Sequence, residues 1–315
     1  MQAPEIYYGI DIGGTKIELV ACDAALQVRH RERVSTPTHD YDAFVETLVG
    51  LVRQADATLG ARAPVGLGVP GIIDAQTGAH LSANVPCLTG RQLLPVLRQR
   101  LDRNIVIGND CQCFALSEAR GGAAGGAASM FGLILGTGAG AGYVVDGRLV
   151  RGRSGVAGEW GHWPISPALL QHYGLPALPC ACSRTACLEC YVSGSGLRKL
   201  HAHLSASPGL CAEELAALRD IGDPLAGAIF AMHLDLLGAA LAQIVLAYDP
   251  HVVVLGGGLS QMTHLYRELP AAIAAHLIKG IAVPPVLPPA FGNAGGARGA
   301  ALLAAQAVQT LHKET

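Results

Sequence analysis

Aromatic residues are scarce in this chain, 5% of 315, and charged residues make up only 15%. So few charges beside 50% apolar residues argue against a disordered chain and leave ample material for a buried core. No basic run is present and the formal net charge is −2, with an isoelectric point near 6.6. That balance argues against nucleic acid or an anionic membrane as the main partner. The start, MQAPEIYYGIDIGG, lacks the basic and apolar segments of a signal peptide. The longest charge-free stretch, 121–145, holds nine glycines, so it is not expected to form a membrane-spanning helix despite a mean hydropathy of +0.36. The length suggests two domains.

What the chain has in quantity is glycine, 40 residues without a G-X-Y period, and cysteine, nine residues. Glycine at this level implies tight turns or close approach of backbone to a ligand. Cysteines without a secretory signal imply a reducing compartment, with the cytoplasm expected, where clustered thiols bind metal or sit buried.

Two apolar runs, Tyr7–Ile12 and Ile17–Cys22, flank Gly13-Gly14-Thr15-Lys16 and predict a hairpin with a glycine tip. Tyr41–Leu59 and Leu93–Leu101 carry apolar residues at helical spacing, Val65–Val69 and Ile105–Ile107 read as strands, and a helix is expected over Cys113–Arg120. The pattern then recurs: strand Met130–Leu135, a glycine loop over Gly136–Gly142, strand Tyr143–Val145 and a turn at Asp146-Gly147. Pro224–Tyr248 reads as a long apolar helix, Val252–Leu255 as a buried strand, Gly256–Gly258 as a third glycine turn and Ala297–Leu311 as a closing helix. Two strand–glycine loop–strand units about 120 residues apart suggest two lobes on related sheets, in an α/β fold.

Asp11 directly before a glycine tip suits phosphate held by converging backbone N–H groups, with the carboxylate near Mg²⁺. An ordinary hairpin would account for the same residues. Asn109-Asp110 ends an apolar strand, where α/β folds place ligand groups, and an aspartate there can act as a base. Capping of the next helix is the plainer account. Cys180, Cys182, Cys187 and Cys190 lie within eleven residues and fit tetrahedral zinc, with His162 as a possible further ligand. His172, His201 and His203 read as surface residues, and the other five cysteines as packing.

These residues together resemble the ROK family of sugar kinases and related repressors. The motifs, in family order across nearly the whole chain, are DIGGTK (Asp11–Lys16), GVPG (Gly68–Gly71), Ala83-Asn84, Asn109-Asp110, LGTG (Leu135–Gly138), GEWGH (Gly158–His162), CACSRTACLE (Cys180–Glu189) and Gly256–Gly258. The resemblance implies a two-lobed actin-like, hexokinase-like (ribonuclease H-like) ATPase fold. Residues 1–118 would form the N-terminal lobe, with a helix over 299–315 packing back on it, and 119–298 the C-terminal lobe with a zinc loop. It implies ATP-dependent phosphorylation of N-acetyl-D-glucosamine at the 6-hydroxyl, with glucose, fructose or N-acetylmannosamine as alternative sugars and a non-catalytic sugar sensor as the remaining alternative. Asp110 would be the general base. Gly71, Asn84, Asn109, Glu159, His162 and Glu189 would hold the sugar. Asp11, Gly13, Gly14, Thr15, Lys16, Gly136, Thr137, Gly138, Gly256, Gly257 and Gly258 would hold ATP with Mg²⁺. His162, Cys180, Cys182 and Cys187 would bind a structural Zn²⁺. A homodimer is expected, without nucleic-acid or membrane partners. The repressors carry a DNA-reading domain ahead of DIGGT, and Asp11 here stands ten residues from the start, so a kinase is expected.

Three departures stand out. Ala181, Ser183 and Ala186 occupy zinc-loop positions where the family commonly has glycine, which puts the loop's geometry in question. Cys111-Gln112 follows the base where the family reads Ala-Asn, and Cys190 is an extra thiol competing with His162. The scarcity of aromatics fits a sugar held by hydrogen bonds rather than by stacking.

Overall fold

The computed structural model describes residues 5–74, 76–292 and 295–314, with side chains as far as Gln309. The first four residues of the N-terminal segment, and Thr315 at the end of the helix expected over 299–315, lie outside them. In chain order the elements are β1 (Ile6–Ile12), β2 (Lys16–Asp23), β3 (Val28–Ser35), α1 (Tyr41–Leu59), β4 (Val65–Val69), β5 (Ile72–Ile73), β6 (His80–Leu81), α2 (Leu93–Leu101), β7 (Ile105–Asn109) and α3 (Asp110–Ala119). They continue as β8 (Ser129–Leu135), β9 (Ala139–Val145), β10 (Arg148–Val150), α4 (Pro167–Tyr173), α5 (Glu189–Val192), α6 (Gly194–Ser205), α7 (Ala212–Asp220), α8 (Pro224–Tyr248), β11 (Val252–Gly256), α9 (Thr263–Ala275), β12 (Val286–Leu287) and α10 (Gly295–Glu314).

The two main sheets have orders β3-β2-β1-β4-β7 and β10-β9-β8-β11-β12. Each has its first strand at the centre, a hairpin partner on one side and later strands on the other. Contacts divide the described residues into two compact units. The first comprises the chain up to Gly125, Gly142–Ala157 and the chain from Ala290; the second comprises Gly126–Ala141 and Gly158–Pro289.

In the first unit the sheet is covered on both faces. Tyr8, Ile10 and Ile12 alternate onto one face and meet Phe44, Leu48 and Val52 of α1, at i, i+4, i+8 spacing. Each such buried side chain contributes about 1.5–3 kcal/mol. α1 starts at Asp40, whose carboxylate accepts from Ala43 N at 3.0 Å, and stops at Gly60 in the left-handed region. On the other face Tyr7, Val20 and Cys22 meet Ala297, Ala301, Ala304 and Ala305 of α10. A methyl on Gly9 would stand 1.9 Å from the Ala297 carbonyl, and one on Gly66 1.9 Å from that of Ala300. Alanine on the helix facing glycine on the strands therefore lets α10 sit directly on the sheet.

β3, with the sequence VRHRERVS, has no buried face and is an edge strand held by its ladder to β2. Apolar periodicity therefore gave no sign of it. α3 begins at Asp110, not Cys113. The loop expected over Gly136–Gly142 ends early, because β9 begins at Ala139. Gly142 is a strand residue whose missing side chain makes room for α3: a methyl there would lie 2.7 Å from Cβ of Ala115.

In the second unit β8, β11 and β12 are parallel, with Gly256 opposite Ile134. α8, begun by the Asp223 cap and Pro224, is its central helix and buries Ile229, Phe230, Leu236, Leu237, Leu241 and Ile244. It is the one described helix long and apolar enough to cross a membrane, and 72% of its most apolar window is buried inside the structure. His201, read as a surface residue, is buried and accepts from Leu210 N through Nδ1 at 3.3 Å.

Candidate active site

In the first unit the carboxyl ends of three parallel strands converge. Asp11 on β1 is in register with Gly68 on β4, and Val69 with Asn109 on β7. Ligand groups gather at such strand ends because each strand delivers its next residue there. The β1–β2 turn closes with Gly13 N donating to Lys16 O at 2.9 Å, and Thr36 ties it to the chain after β3, its hydroxyl donating to Gly13 O at 2.7 Å. Asn84 borders the turn: its carbonyl would be 2.9 Å from a methyl on Gly14. Asn109 caps α3, accepting from Cys111 N at 2.9 Å and Gln112 N at 3.3 Å, and its amide donates to Gly71 O at 3.1 Å. The side-chain cap of α3 is thus Asn109, while the Asp110 carboxylate accepts hydrogen bonds from the backbone N–H and thiol of Cys111. Burial pushes the Asp110 carboxyl above the ordinary range.

The Asp11 carboxyl is perturbed as well. Burial first, then the charges of Asp110 and Glu18, push it up to about 7, with Lys16 pulling the other way. Its carboxylate lies against the first turn of α10, where a methyl on Gly296 would stand 2.6 Å from Cγ and 2.7 Å from both oxygens. Across the ladder from Asp11, buried Glu18 accepts from Arg33 Nη2 at 3.1 Å and is ion-paired with Arg31, its Nε at 3.1 Å, both through Oε1.

In the second unit the LGTG turn closes with Gly136 N donating to Gly138 O at 3.0 Å. The start of α6 holds it: Gly194 N donates to Gly136 O at 2.8 Å, and Ser195 Oγ to Thr137 O at 2.6 Å. Gly257, with φ +78°, backs onto Leu135 O, 2.5 Å from where its methyl would be, so the Gly136–Gly138 and Gly256–Gly258 turns are neighbours.

The same unit gathers the Cys/His cluster. One ligand atom each from His162, Cys180, Cys182 and Cys187 lies within 4.8 Å of the others. Sulfurs at 2.3 Å from a tetrahedral ion stand about 3.8 Å apart; Cys182 and Cys187 Sγ are 3.6 Å apart, and Cys180 Sγ is 3.7 Å from His162 Nδ1. The donor set and spacing fit a tetrahedral metal. Against the cost of burial, hydrogen bonding from Arg184 and the neighbouring thiols pulls the Cys182 thiol down to about 6, the thiolate form a metal requires. Cys190 is outside the cluster and donates to Pro179 O at 3.5 Å. The loop reaches this geometry without the expected glycines, because Ser183 at φ +67° and Ala186 at φ +58° occupy the left-handed region, at a cost of roughly 1–2 kcal/mol each.

Two carboxylates flank the His162 ring. Glu159 Oε2 lies 3.8 Å from Nε2 and Glu189 Oε1 3.5 Å from Nδ1. Glu189 also accepts from Cys180 Sγ at 2.9 Å, and its Oε2 would be 2.9 Å from a methyl on Gly138. Cys/His cluster, paired glutamates and glycine turn are one packed assembly.

A model of the ROK family matches residues 7–307. The chain belongs to the ROK family. It is 45% identical to N-acetylgalactosamine kinase AgaK of Shewanella sp. (strain ANA-3), over 95% of this chain and 96% of that relative. It is 44% identical to an N-acetyl-D-glucosamine kinase of Photobacterium profundum, over 95% and 99%. The crystal structure of a ROK family glucokinase from Streptomyces griseus, in complex with glucose and AMPPNP, matches with a TM-score of 0.79 and 28% identity over 96% of this chain and 99% of that one. The mixed α/β architecture with paired five-stranded sheets is that of the hexokinase-like ROK fold.

Within this ROK chain three supporting residues escaped sequence reasoning. Gly296 seats Asp11, Ser195 seats Thr137, and Thr36 seats Gly13. A glycine pair opening a helix was the one available signal, for Gly296; a serine or threonine hydroxyl carries none until its acceptor is known.

Proposed function

We propose that this ROK protein transfers the γ-phosphoryl group of ATP to the 6-hydroxyl of N-acetyl-D-glucosamine. The observation that carries the reading is Asp110: a buried carboxyl of raised proton affinity directly after a strand end, with Asn109 supplying the side-chain cap of the helix. As the sugar's 6-oxygen bonds to the γ-phosphorus, the bond to the β–γ bridging oxygen breaks, ADP leaves and the hydroxyl proton passes to Asp110. A positioned base of this kind contributes about 10²–10⁴-fold. The rest is positioning and charge stabilisation, as in phosphoryl transfer generally.

In the first unit we assign Asp11, Gly13, Gly14, Thr15 and Lys16 to the phosphates of ATP, and Gly71, Asn84 and Asn109 to the sugar. In the second, Gly136, Thr137 and Gly138 go to the phosphates, Gly256, Gly257 and Gly258 to the adenosine, and Glu159, His162 and Glu189 to sugar hydroxyls. Amide and carboxylate side chains suit a polyol, since they meet its donors and acceptors in pairs. Asp11 would hold Mg²⁺, which neutralises phosphate charge when bound. His162, Cys180, Cys182 and Cys187 would hold Zn²⁺, which fixes the loop carrying Glu159 and Glu189 rather than acting on substrate. His162 serves both purposes if Nδ1 faces the thiols and Nε2 faces Glu159, as its distances favour. Nine free thiols among the described residues support a reducing cytoplasm. We assign a homodimer by family membership.

The 45% identical relative named for N-acetylgalactosamine favours a second reading, in which that sugar is the acceptor. ATP-consumption assays giving kcat/KM for N-acetyl-D-glucosamine, N-acetylgalactosamine, N-acetylmannosamine, glucose and fructose decide between them. The first sugar should lead; a higher value for N-acetylgalactosamine establishes the second reading, and no turnover of any sugar refutes both.

A further inference from the structure

The first unit holds a cavity of about 500 Å³ away from the strand ends that carry Asp11 and Asp110. It lies where α10, the β9–β10 turn, the end of α3 and the edge of β7 meet. Its polar lining is Arg120, Arg148, Arg151, Asp146, Gln306 and Gln309, above a floor that includes Leu302 and Leu303. Three guanidinium groups thus face one carboxylate. The heads of Arg120 and Arg148 make no hydrogen bond or ion pair among the described residues, and Arg120 Nη1 stands over the turn, 3.2 Å from where a methyl on Gly147 would be. Gln306 steadies the same turn by donating to Gly147 O at 3.3 Å.

We propose that this cavity is a regulatory site for a sugar phosphate. Paired guanidiniums match a phosphoryl group through charge-assisted, two-pronged hydrogen bonds. Asp146, Gln306 and Gln309 supply the acceptors and donors that sugar hydroxyls need, and the leucine floor meets the C–H faces of the ring. Among the described residues no aromatic side chain lines the cavity, so a nucleotide base would find no aromatic face to stack on. The site also touches both ends of the segment that carries the base. Arg151 Nη2 donates to Ile107 O at 2.9 Å, two residues before Asn109, and Arg120 closes α3, whose first residue is Asp110. A phosphate drawing on Arg151 competes with that hydrogen bond and so alters how β7 presents Asn109 and Asp110. The inference rests on the kinase reading for its regulatory meaning, since the reaction's own product is a sugar phosphate.

Calorimetry tests it on the full chain saturated with sugar and a non-hydrolysable ATP analogue, which occupies the reaction site. The titrants are N-acetylglucosamine 6-phosphate, glucose 6-phosphate and inorganic phosphate. One sugar phosphate should bind the wild type one-to-one and the doubly substituted R120A/R148A variant roughly a hundredfold more weakly, from loss of two charge-assisted contacts. Tighter binding of the first titrant identifies the product as the effector, and of the second a sugar phosphate from another reaction; either supports the site. Equal affinity in both proteins, no binding to the wild type, or inorganic phosphate binding as tightly as the sugar phosphates overturns it. The variant's unregulated turnover should equal the wild type's, so failure of the kinase reading is read separately, as absence of turnover in both.

Discussion

Gly296 is the residue through which the position of Asp11 can be moved without touching Asp11. A methyl there would stand 2.6 Å from the carboxylate carbon, about 0.8 Å inside the 3.4 Å at which ordinary contact begins. Both partners are constrained: α10 is seated on Gly9 and Gly66, and Asp11 is a strand residue paired on both sides. In Gly296→Ala the carboxylate must therefore retreat by most of that overlap. Overpacking of this kind costs about 1–3 kcal/mol of stability. A displacement near 1 Å in a reacting constellation costs about 10²-fold in rate. We therefore expect kcat/KM for ATP to fall roughly 30- to 100-fold, with sugar affinity nearly unchanged, while the protein stays folded at 25 °C. Gly295→Ala is the control. It lies in the same helix turn, and its methyl would meet Phe114 Cδ2 at 3.3 Å and not Asp11. A coupled assay for ADP, with the melting temperature of each variant, separates the effects. Wild-type kcat/KM in Gly296→Ala, or equal loss in both variants, would refute the argument.

Asp110→Asn should bind sugar normally by calorimetry and lose about 10²–10⁴-fold in kcat; normal turnover would exclude Asp110 as the base. Because the Asp11 carboxyl is raised by burial from the usual value near 4 to about 7, its contribution to stability is fully present below pH 4 and is lost as pH rises through 7. The ligand-free melting temperature should fall over that window and fall less steeply in Asp11→Asn; identical slopes would contradict the assignment. His162→Ala should lose metal on gel filtration and Cys190→Ser should retain it, read by elemental analysis, since only His162 belongs to the four-atom cluster. Stripping the metal with a chelator should abolish sugar binding before the protein unfolds, and unchanged affinity in the metal-free form would count against a positioning role. Ala186→Gly relieves a left-handed alanine at φ +58° and should slow metal loss to a competing chelator; the net gain is at most about 1 kcal/mol, because glycine adds unfolded-state entropy.

Much of the site was legible in the chain itself because its parts are local. The first hairpin, with Ile12 opposite Ile17, follows from two apolar runs around a glycine tip, and α1 and α2 match their apolar periodicity to the residue. Three of the cluster's four members were readable because they lie within eight residues; His162 stood beside Cys190 as a candidate until the family resemblance favoured it. The order of motifs was sufficient for the family, as the match over residues 7–307 bears out.

What periodicity could not supply depended on neighbours remote in sequence. β3 is held by its ladder to β2 and not by burial, so its charged sequence looks like a loop. Gly142 looks like loop glycine until α3 is seen packed on it, and Ser183 and Ala186 look like departures until their left-handed conformations appear. His162 and not Cys190 lies in the four-atom cluster because the chain directs the Cys190 thiol toward Pro179 O, a matter of side-chain direction that spacing does not encode. The sequence by itself determined which chemistry is present: the carboxylates, thiols and glycine turns, and their order. Tertiary structure decided what surrounds each of them. Asn109 and not Asp110 supplies the side-chain cap of α3, and Asp11 is perturbed by burial where a helix beginning more than 280 residues later closes over it. Burial and hydrogen-bond partnership are properties of packing, and packing joins residues that the chain keeps far apart.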